Sequence, residues 1–273
     1  MFDAAVKSEL REALDAYGLK PNQKLGQNFL CDGQMADAII ATAGLLGDKT
    51  VLEIGPGAGV LTGRLTQKAK KVVAVELDAG LFRLLSERMI FDNLQLVHGD
   101  ALKIDLGALI GEGPCAVIAN LPYYITSAIL MRLLPLPQVE TMILMMQKEV
   151  AQRLAAQPGG KDYGSLTLAV KYHAEAELLR LVPPECFFPI PKVDSAVLRL
   201  TKRPYDHKPK DEDKLFQIIR LAFAMRRKTL LNNLAANMGR EKAAEAIERA
   251  GLSPMARAET LSLEEFIRLS DQI

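Results

Sequence analysis

Thr50-Val-Leu-Glu-Ile-Gly-Pro-Gly-Ala-Gly-Val-Leu-Thr62 reads as a buried strand that runs through a glycine turn into a helix. Val51, Leu52 and Ile54 make the short apolar run expected of a central parallel strand covered on both faces. Gly55, Gly57 and Gly59 release the chain from ordinary φ limits, so bare backbone can approach a ligand lying across the helix N-terminus, and Pro56 stiffens the turn. The spacing is G-x-G-x-G; the last glycine of the dinucleotide fingerprint would fall at Val60, which counts against NAD. No Lys-Ser/Thr pair follows, so a phosphate-cradling loop is not on offer. Taken alone, the turn is also an ordinary strand–helix connection.

The strands that follow decide between these readings. Lys71-Val-Val-Ala-Val-Glu76 is β-branched and ends in a carboxylate roughly 20 residues beyond the first glycine, where an acid can accept from both ribose hydroxyls of a nucleoside. Leu94-Gln-Leu-Val97 leads to His98-Gly-Asp100, a second strand-end acid. Ala116-Val-Ile-Ala-Asn120 ends in Asn120-Leu-Pro-Tyr123. Strand-end acids are also common helix caps, and Asn-Leu-Pro-Tyr is also a good plain turn. The alternation of strand and helix predicts a parallel sheet with right-handed crossovers. Further strands are expected over residues 141–146, about 177–182, and 193–200, with a helix near 165–173. The economical architecture is α/β: a seven-stranded, mostly parallel, Rossmann-like sheet with ligands at its C-terminal strand edges and an antiparallel pair at one end.

At 273 residues with 49% hydrophobic content, the chain can build one medium domain and an appendage. Residues 1–203 are expected to form the sheet domain, with residues 1–30 as a helix and loop lying over it. Within that lid an amphipathic helix is predicted over residues 3–17 with Val6, Leu10, Leu14 and Tyr17 on one face; a second helix is predicted over 35–46. The charged, proline-containing stretch 202–214 is the expected linker, and residues 204–273 form a small all-helical domain. There, apolar spacing from Leu215 predicts a helix ending in Met225-Arg226-Arg227-Lys228, then helices over 241–250 and 263–269, the last opened by Ser262 and Glu265 as a capping box.

The formal net charge is only +1, but it is unevenly spread. Ten basic residues face four acids over residues 202–240, a balance of +6, whereas residues 241–273 carry −3. Arg226, Arg227 and Lys228 therefore suit phosphate contacts as well as a solvated helix end. No apolar run approaches the roughly 18 residues of a membrane helix. The N-terminus lacks the features of a secretory or transit signal, which predicts a cytoplasmic protein. Cys31, Cys115 and Cys186 have no C-x-x-C spacing and the three histidines no ligand spacing, so neither disulfide nor metal is expected.

Glu53-Ile-Gly-Pro-Gly-Ala-Gly59, Glu76, Gly99-Asp100 and Asn120-Leu-Pro-Tyr123, in that order, resemble the motifs of S-adenosylmethionine-dependent adenine-N6 methyltransferases. Leu25-Gly-Gln-Asn-Phe-Leu30 and Phe187-Phe-Pro-Ile-Pro-Lys-Val-Asp-Ser195 narrow the resemblance to the ribosomal RNA adenine dimethyltransferases, specifically those acting on two adjacent adenosines near the 3′ end of 16S rRNA. The resemblance implies S-adenosylmethionine as cofactor, with Asn28 and Leu30 touching it, Gly55 and Gly57 beside its methionine part, Glu76 on its ribose, Asp100 on its adenine, and Asn120 also in contact. It implies 16S rRNA within the 30S subunit or its precursor as partner.

Methyl transfer from a sulfonium is a direct displacement, so no nucleophile triad is required. Adenine N6 is a poor nucleophile, and the Asn120 side-chain oxygen with the Leu121 carbonyl can accept its two hydrogens as charge develops. Pro122 fixes the turn, Tyr123 offers a ring for the extracted base, and Phe188 is expected on the base's other side. Three alternatives stand beside this reading: a 23S rRNA adenine methyltransferase of the antibiotic-resistance type, an assembly factor acting mainly by binding 30S precursors, and NAD-linked redox chemistry. A monomer is expected.

Overall fold

The computed structural model describes residues 3–22, 26–122 and 124–273. Leu25 and Tyr123 lie outside the described residues. The strands are β1 Phe29–Leu30, β2 Thr50–Ile54, β3 Lys71–Glu76, β4 Leu94–His98, β5 Cys115–Asn120, β6 Val139–Gln147, β7 Ala174–Val182, β8 Phe187–Phe188 and β9 Ser195–Lys202. Seven of them form one sheet in the order β4-β3-β2-β5-β6-β9-β7. The neighbours from β4 to β6 are parallel, and β9 runs antiparallel to β6. The expected seven-stranded, mostly parallel sheet is thus present, with the last two strands adjacent at one edge.

Two compact units divide the chain: Met1–Ala151 with Ala176–Lys202, and Gln152–Glu175 with Arg203–Ile273. The boundary expected near residue 203 coincides with one crossing point, but residues 152–175 fold with the helical unit rather than with residues 1–203. The reason is apolar packing: Tyr163, Leu168 and Tyr172 share a core with Leu215, Ile218 and Phe266. The Tyr163 hydroxyl also donates to the Leu261 carbonyl at 2.9 Å.

In the sheet unit, β2 is central because Val51, Leu52 and Ile54 are buried on both faces. Leu10 and Leu14 of the helix Lys7–Ala16 join the same core as Val51, Ile39 and Leu65, whereas Val6 is exposed. Burial of each leucine contributes about 2 kcal/mol toward holding this N-terminal helix down. The next helix is shorter than residues 35–46; it spans Gly33–Ala41, and Asp32 caps it by accepting from Met35 N at 2.9 Å.

In the helical unit, Glu212–Ala222, Leu230–Met238, Arg240–Arg249 and Leu263–Ser270 are helices. The first ends before the basic triplet. Asn233 explains the break: its side-chain amide donates to the carbonyls of Ala222 and Met225, at 2.6 and 3.2 Å, which would otherwise continue the helix. Ser262 and Glu265 form the expected capping box, with reciprocal bonds of 3.2 and 2.8 Å.

Candidate active site

Strand order in the sheet reverses at β2, which has β3 on one side and β5 on the other. Ligands in open α/β sheets bind in the crevice beyond the strand ends at such a reversal. A cavity of about 530 Å³ lies there, within the range of small-molecule sites. Asn28, Leu30, Gly55, Gly57, Glu76, Asp100, Asn120, Leu121 and Pro122 all line it.

The glycine turn does two different jobs. Gly55 has φ 67° and open space where a Cβ would stand, so its backbone faces the cavity unscreened. At Gly57, with φ 60°, a Cβ would come within 3.0 Å of the Phe29 ring, so this glycine admits the segment that crosses above it.

Glu76 is almost fully buried, and both its oxygens are already held by backbone: Oε2 accepts from Gly57 N at 3.1 Å, Oε1 from Asp78 N at 2.8 Å. Burial pushes its carboxyl up, and these N–H bonds oppose that by favouring the charged form. Each oxygen retains acceptor capacity, so two hydroxyls of a ligand can still be met. Asp100 Oδ1 accepts from Leu102 N at 2.9 Å and Oδ2 lies 3.6 Å from the Lys103 ammonium, with the residue lining the cavity.

Asn120 ends β5 half-buried. Its side-chain amide donates to the Asn28 carbonyl at 3.2 Å, across 92 residues of sequence. This bond uses the nitrogen and leaves the amide oxygen as an acceptor. Leu121 N donates to Met145 O at 2.9 Å, and Thr126 Oγ1 donates to Pro122 O at 3.1 Å, which fixes the turn after β5. The turn after β5 is thus fixed by hydrogen bonds to β6 and to the helix that follows it.

One expected site residue faces elsewhere. β1 and β8 form an antiparallel ribbon in which Phe29 opposes Phe188 and Leu30 opposes Phe187. Successive side chains of a strand point to opposite faces. Phe187 is buried and lines the cavity; Phe188 does not line it and lies instead under the Arg11 guanidinium, 4.7 Å from the ring centre. The structure thus places Phe188, expected at the site, away from the cavity, and Phe187 on its wall.

Glu53 was not singled out from the sequence, yet it lines the cavity with only 1% of its surface exposed. It accepts from Thr62 Oγ1 at 2.7 Å, and burial pushes its carboxyl up to about 8. An acid in the middle of an apolar strand was the available signal. Tyr124 also borders the cavity, its hydroxyl pushed up by burial and then by the charges of Asp100 and Glu76.

The family model for ribosomal RNA adenine dimethylases matches residues 18–273. The chain belongs to that family. This dimethylase is 49% identical over 288 residues to the ribosomal RNA small subunit methyltransferase A of Geobacillus thermodenitrificans, covering 99% of the chain and 97% of the relative. It is 45% identical to the same-named protein of Clostridium acetobutylicum, covering 96% and 97%. Among solved structures it resembles a dimethyladenosine transferase from Plasmodium falciparum, with TM-score 0.74 and 26% identity over 86% of this chain and 94% of that one. The 23S rRNA methyltransferase ErmE superposes with TM-score 0.67 and 30% identity over 90% and 99%.

The dimethylase is thus a methyltransferase with a Rossmann-like sheet. Among its described residues no cluster of His, Cys, Asp and Glu could hold a metal ion, and no helix is long and apolar enough to cross a membrane. In its helical unit Arg226, Arg227 and Lys228 are exposed and lie between helices. Arg226 is occupied within the unit, pairing with Glu259 at 3.0 Å and donating to the Lys161 carbonyl.

Proposed function

We propose that this dimethylase transfers methyl groups from S-adenosylmethionine to N6 of two adjacent adenosines near the 3′ end of 16S rRNA, forming N6,N6-dimethyladenosine in the small subunit or its precursor. It works in the cytoplasm as a monomer and contributes to small-subunit biogenesis. The observation that carries the reading is the Asn120 amide, oriented by the Asn28 carbonyl at the lip of a cavity that also holds Glu76 and Asp100.

The cavity fits the cofactor: it has the right size, bare backbone at Gly55, and two carboxylates at successive strand ends. Bound there, S-adenosylmethionine supplies an activated methyl group. Glu76 holds the ribose hydroxyls and Asp100 the adenine amino group, while Gly55 and Gly57 lie along the methionine part and Asn28 and Leu30 close over it. The Asn120 side-chain oxygen and the Leu121 carbonyl accept from the two hydrogens of adenine N6, favouring a pyramidal nitrogen as positive charge develops. Pro122 holds that carbonyl in place. Tyr123, by its place in the motif, and Phe187, from the cavity wall, flank the extracted base. Two rounds require that the same acceptors tolerate a monomethylated amine.

In the helical unit Arg227 and Lys228 contact phosphates, while Arg226 braces the segment that presents them. Recognition of the folded particle by shape and phosphate is expected, since A-form RNA hides its sequence from side chains. Several relatives at 43–49% identity are named small subunit methyltransferases, against 30% for ErmE, which favours the small subunit as substrate.

The test is transfer of labelled methyl from S-adenosylmethionine to undermethylated 30S subunits, 50S subunits and their free rRNAs, with nucleoside analysis. Dimethyladenosine confined to 30S material is expected. Label in 50S RNA would favour the resistance-type reading, and 30S binding without label would leave an assembly factor.

A further inference from the structure

The carboxyl of Glu53 is the group in this cavity whose burial the proposed chemistry leaves unexplained. It stands on the central strand, beside Ala74 of β3 in the sheet register, almost fully buried and lining the cavity. An ionised carboxylate in such a place is costly unless it is paired. Among the described residues its hydrogen-bond partner is a neutral hydroxyl, Thr62 Oγ1 at 2.7 Å, and the charged group acting on it is the carboxyl of Glu76 at the end of β3, which repels it. The nearest basic side chain on the helix Thr62–Leu65, Arg64, is turned away toward Asp3, Asp37 and the Val60 carbonyl. Asn120, from β5, is neutral.

Among the described residues, therefore, no positive charge acts on Glu53 to compensate its ionisation. A ligand can supply one, because the methionine part of the proposed cofactor carries an ammonium and a sulfonium against a single carboxylate, a net positive charge, and lies along Gly55, two residues away. We propose that Glu53 is held protonated in the free protein and releases its proton to solvent when the cationic methionine part of the cofactor enters, so that cofactor binding is coupled to the ionisation of this carboxyl. The step is an acid dissociation: the O–H bond of the carboxylic acid breaks, the proton passes to buffer, and the carboxylate stays beside the ligand's positive charge. The direction in which burial drives this group, up to about 8, agrees with the geometry. Glu76 differs in its partners: the N–H groups of Gly57 and Asp78 donate to its two oxygens and oppose the upward push of burial.

This inference rests on the S-adenosylmethionine reading and is tested by measuring dissociation constants of S-adenosylmethionine and of methylthioadenosine between about pH 6 and pH 8. Methylthioadenosine has the adenosine and the sulfur but neither positive charge. In the wild type, S-adenosylmethionine should bind about tenfold or more weakly at the acid end, while methylthioadenosine changes by less than about twofold. Glu53→Gln should flatten the first profile. Calorimetry in buffers of different ionisation enthalpy should show release of on the order of one proton near neutrality for the wild type and its loss in Glu53→Gln. The ligand's own amine, titrating near about 7.7–8.0, gives an effect of opposite sign that is common to both proteins. Thr62→Val, which keeps the shape but removes the donor to the carboxylate, should move the wild-type profile to higher pH.

A flat wild-type profile overturns the proposal, as does an unchanged profile in Glu53→Gln. Failure of S-adenosylmethionine to bind even at pH 8 overturns the cofactor reading itself, and is distinguishable from both.

Discussion

The two units of the chain bury polar side chains in opposite ways. In the helical unit, Tyr163 donates to Leu261 O, Asn233 to Ala222 O and Met225 O, and Ser262 closes on Glu265, so each polar group is spent on the unit's own backbone or cap. In the sheet unit, Glu53, Glu76 and Asn120 lie at or near the ends of three neighbouring strands against a cavity, with one oxygen or lone pair each left over. Satisfied burial stabilises; burial with residual capacity beside a cavity waits for a ligand. That contrast separates structural from chemical polar groups, and substitution can break or sharpen it.

The largest effect is expected at Asn120. Asn120→Ala should lower methyl transfer by about a hundredfold or more, with 30S affinity near wild type and a much smaller loss of cofactor affinity. Single-turnover transfer separates the chemical step from binding, and retention of near wild-type transfer would remove Asn120 from the chemistry.

Next come opposite signs of stability. Asn233→Ala removes the donor to the buried Ala222 carbonyl and one of the two donors to Met225 O, and should destabilise by about 1–3 kcal/mol without moving cofactor affinity. Glu53→Gln should do the reverse. A carboxyl whose folded value is raised above the ordinary 4.5 costs stability once the unfolded chain can ionise, so the cost is absent below that value, grows as pH rises, and levels off above about 8. Removing it should stabilise the free protein by about 2–3 kcal/mol at neutral pH and by little near pH 4. Melting curves at the two pH values check both variants.

Smaller effects distinguish faces of the β1–β8 ribbon. Phe187→Ala should raise KM for 30S and lower kcat, whereas Phe188→Ala should lose its packing against the core and its cation–π contact to Arg11, the latter about 0.5–1 kcal/mol, and so cost stability with transfer largely kept. Equal loss of transfer in both would return Phe188 to the site.

The sequence made much of this legible because its signals are local. Apolar β-branched runs marked the strands, and the Gly55–Gly59 turn, Glu76, Asp100 and Asn120 marked their C-terminal ends, which a parallel sheet gathers on one edge. Three features depended on long-range packing and were missed. The side of Phe187 that meets the cavity depends on pairing with Leu30, far away in the chain. The assignment of residues 152–175 to the helical unit depends on Tyr163 and Tyr172 meeting Leu215 and its neighbours. The occupation of Arg226 depends on Glu259. Charge count alone could not tell a bracing arginine from the exposed Arg227 and Lys228.

The claim that chemistry and grip reside in different units is tested most directly by one paired titration, of labelled S-adenosylmethionine and of 30S subunits, against Glu76→Ala and a double Arg227→Ala, Lys228→Ala variant. The account predicts that Glu76→Ala loses cofactor affinity by about tenfold or more while binding 30S normally, and that the double variant keeps cofactor affinity while binding 30S several-fold more weakly with a shallower salt dependence. Loss of 30S binding in the first, or of cofactor binding in the second, would contradict it.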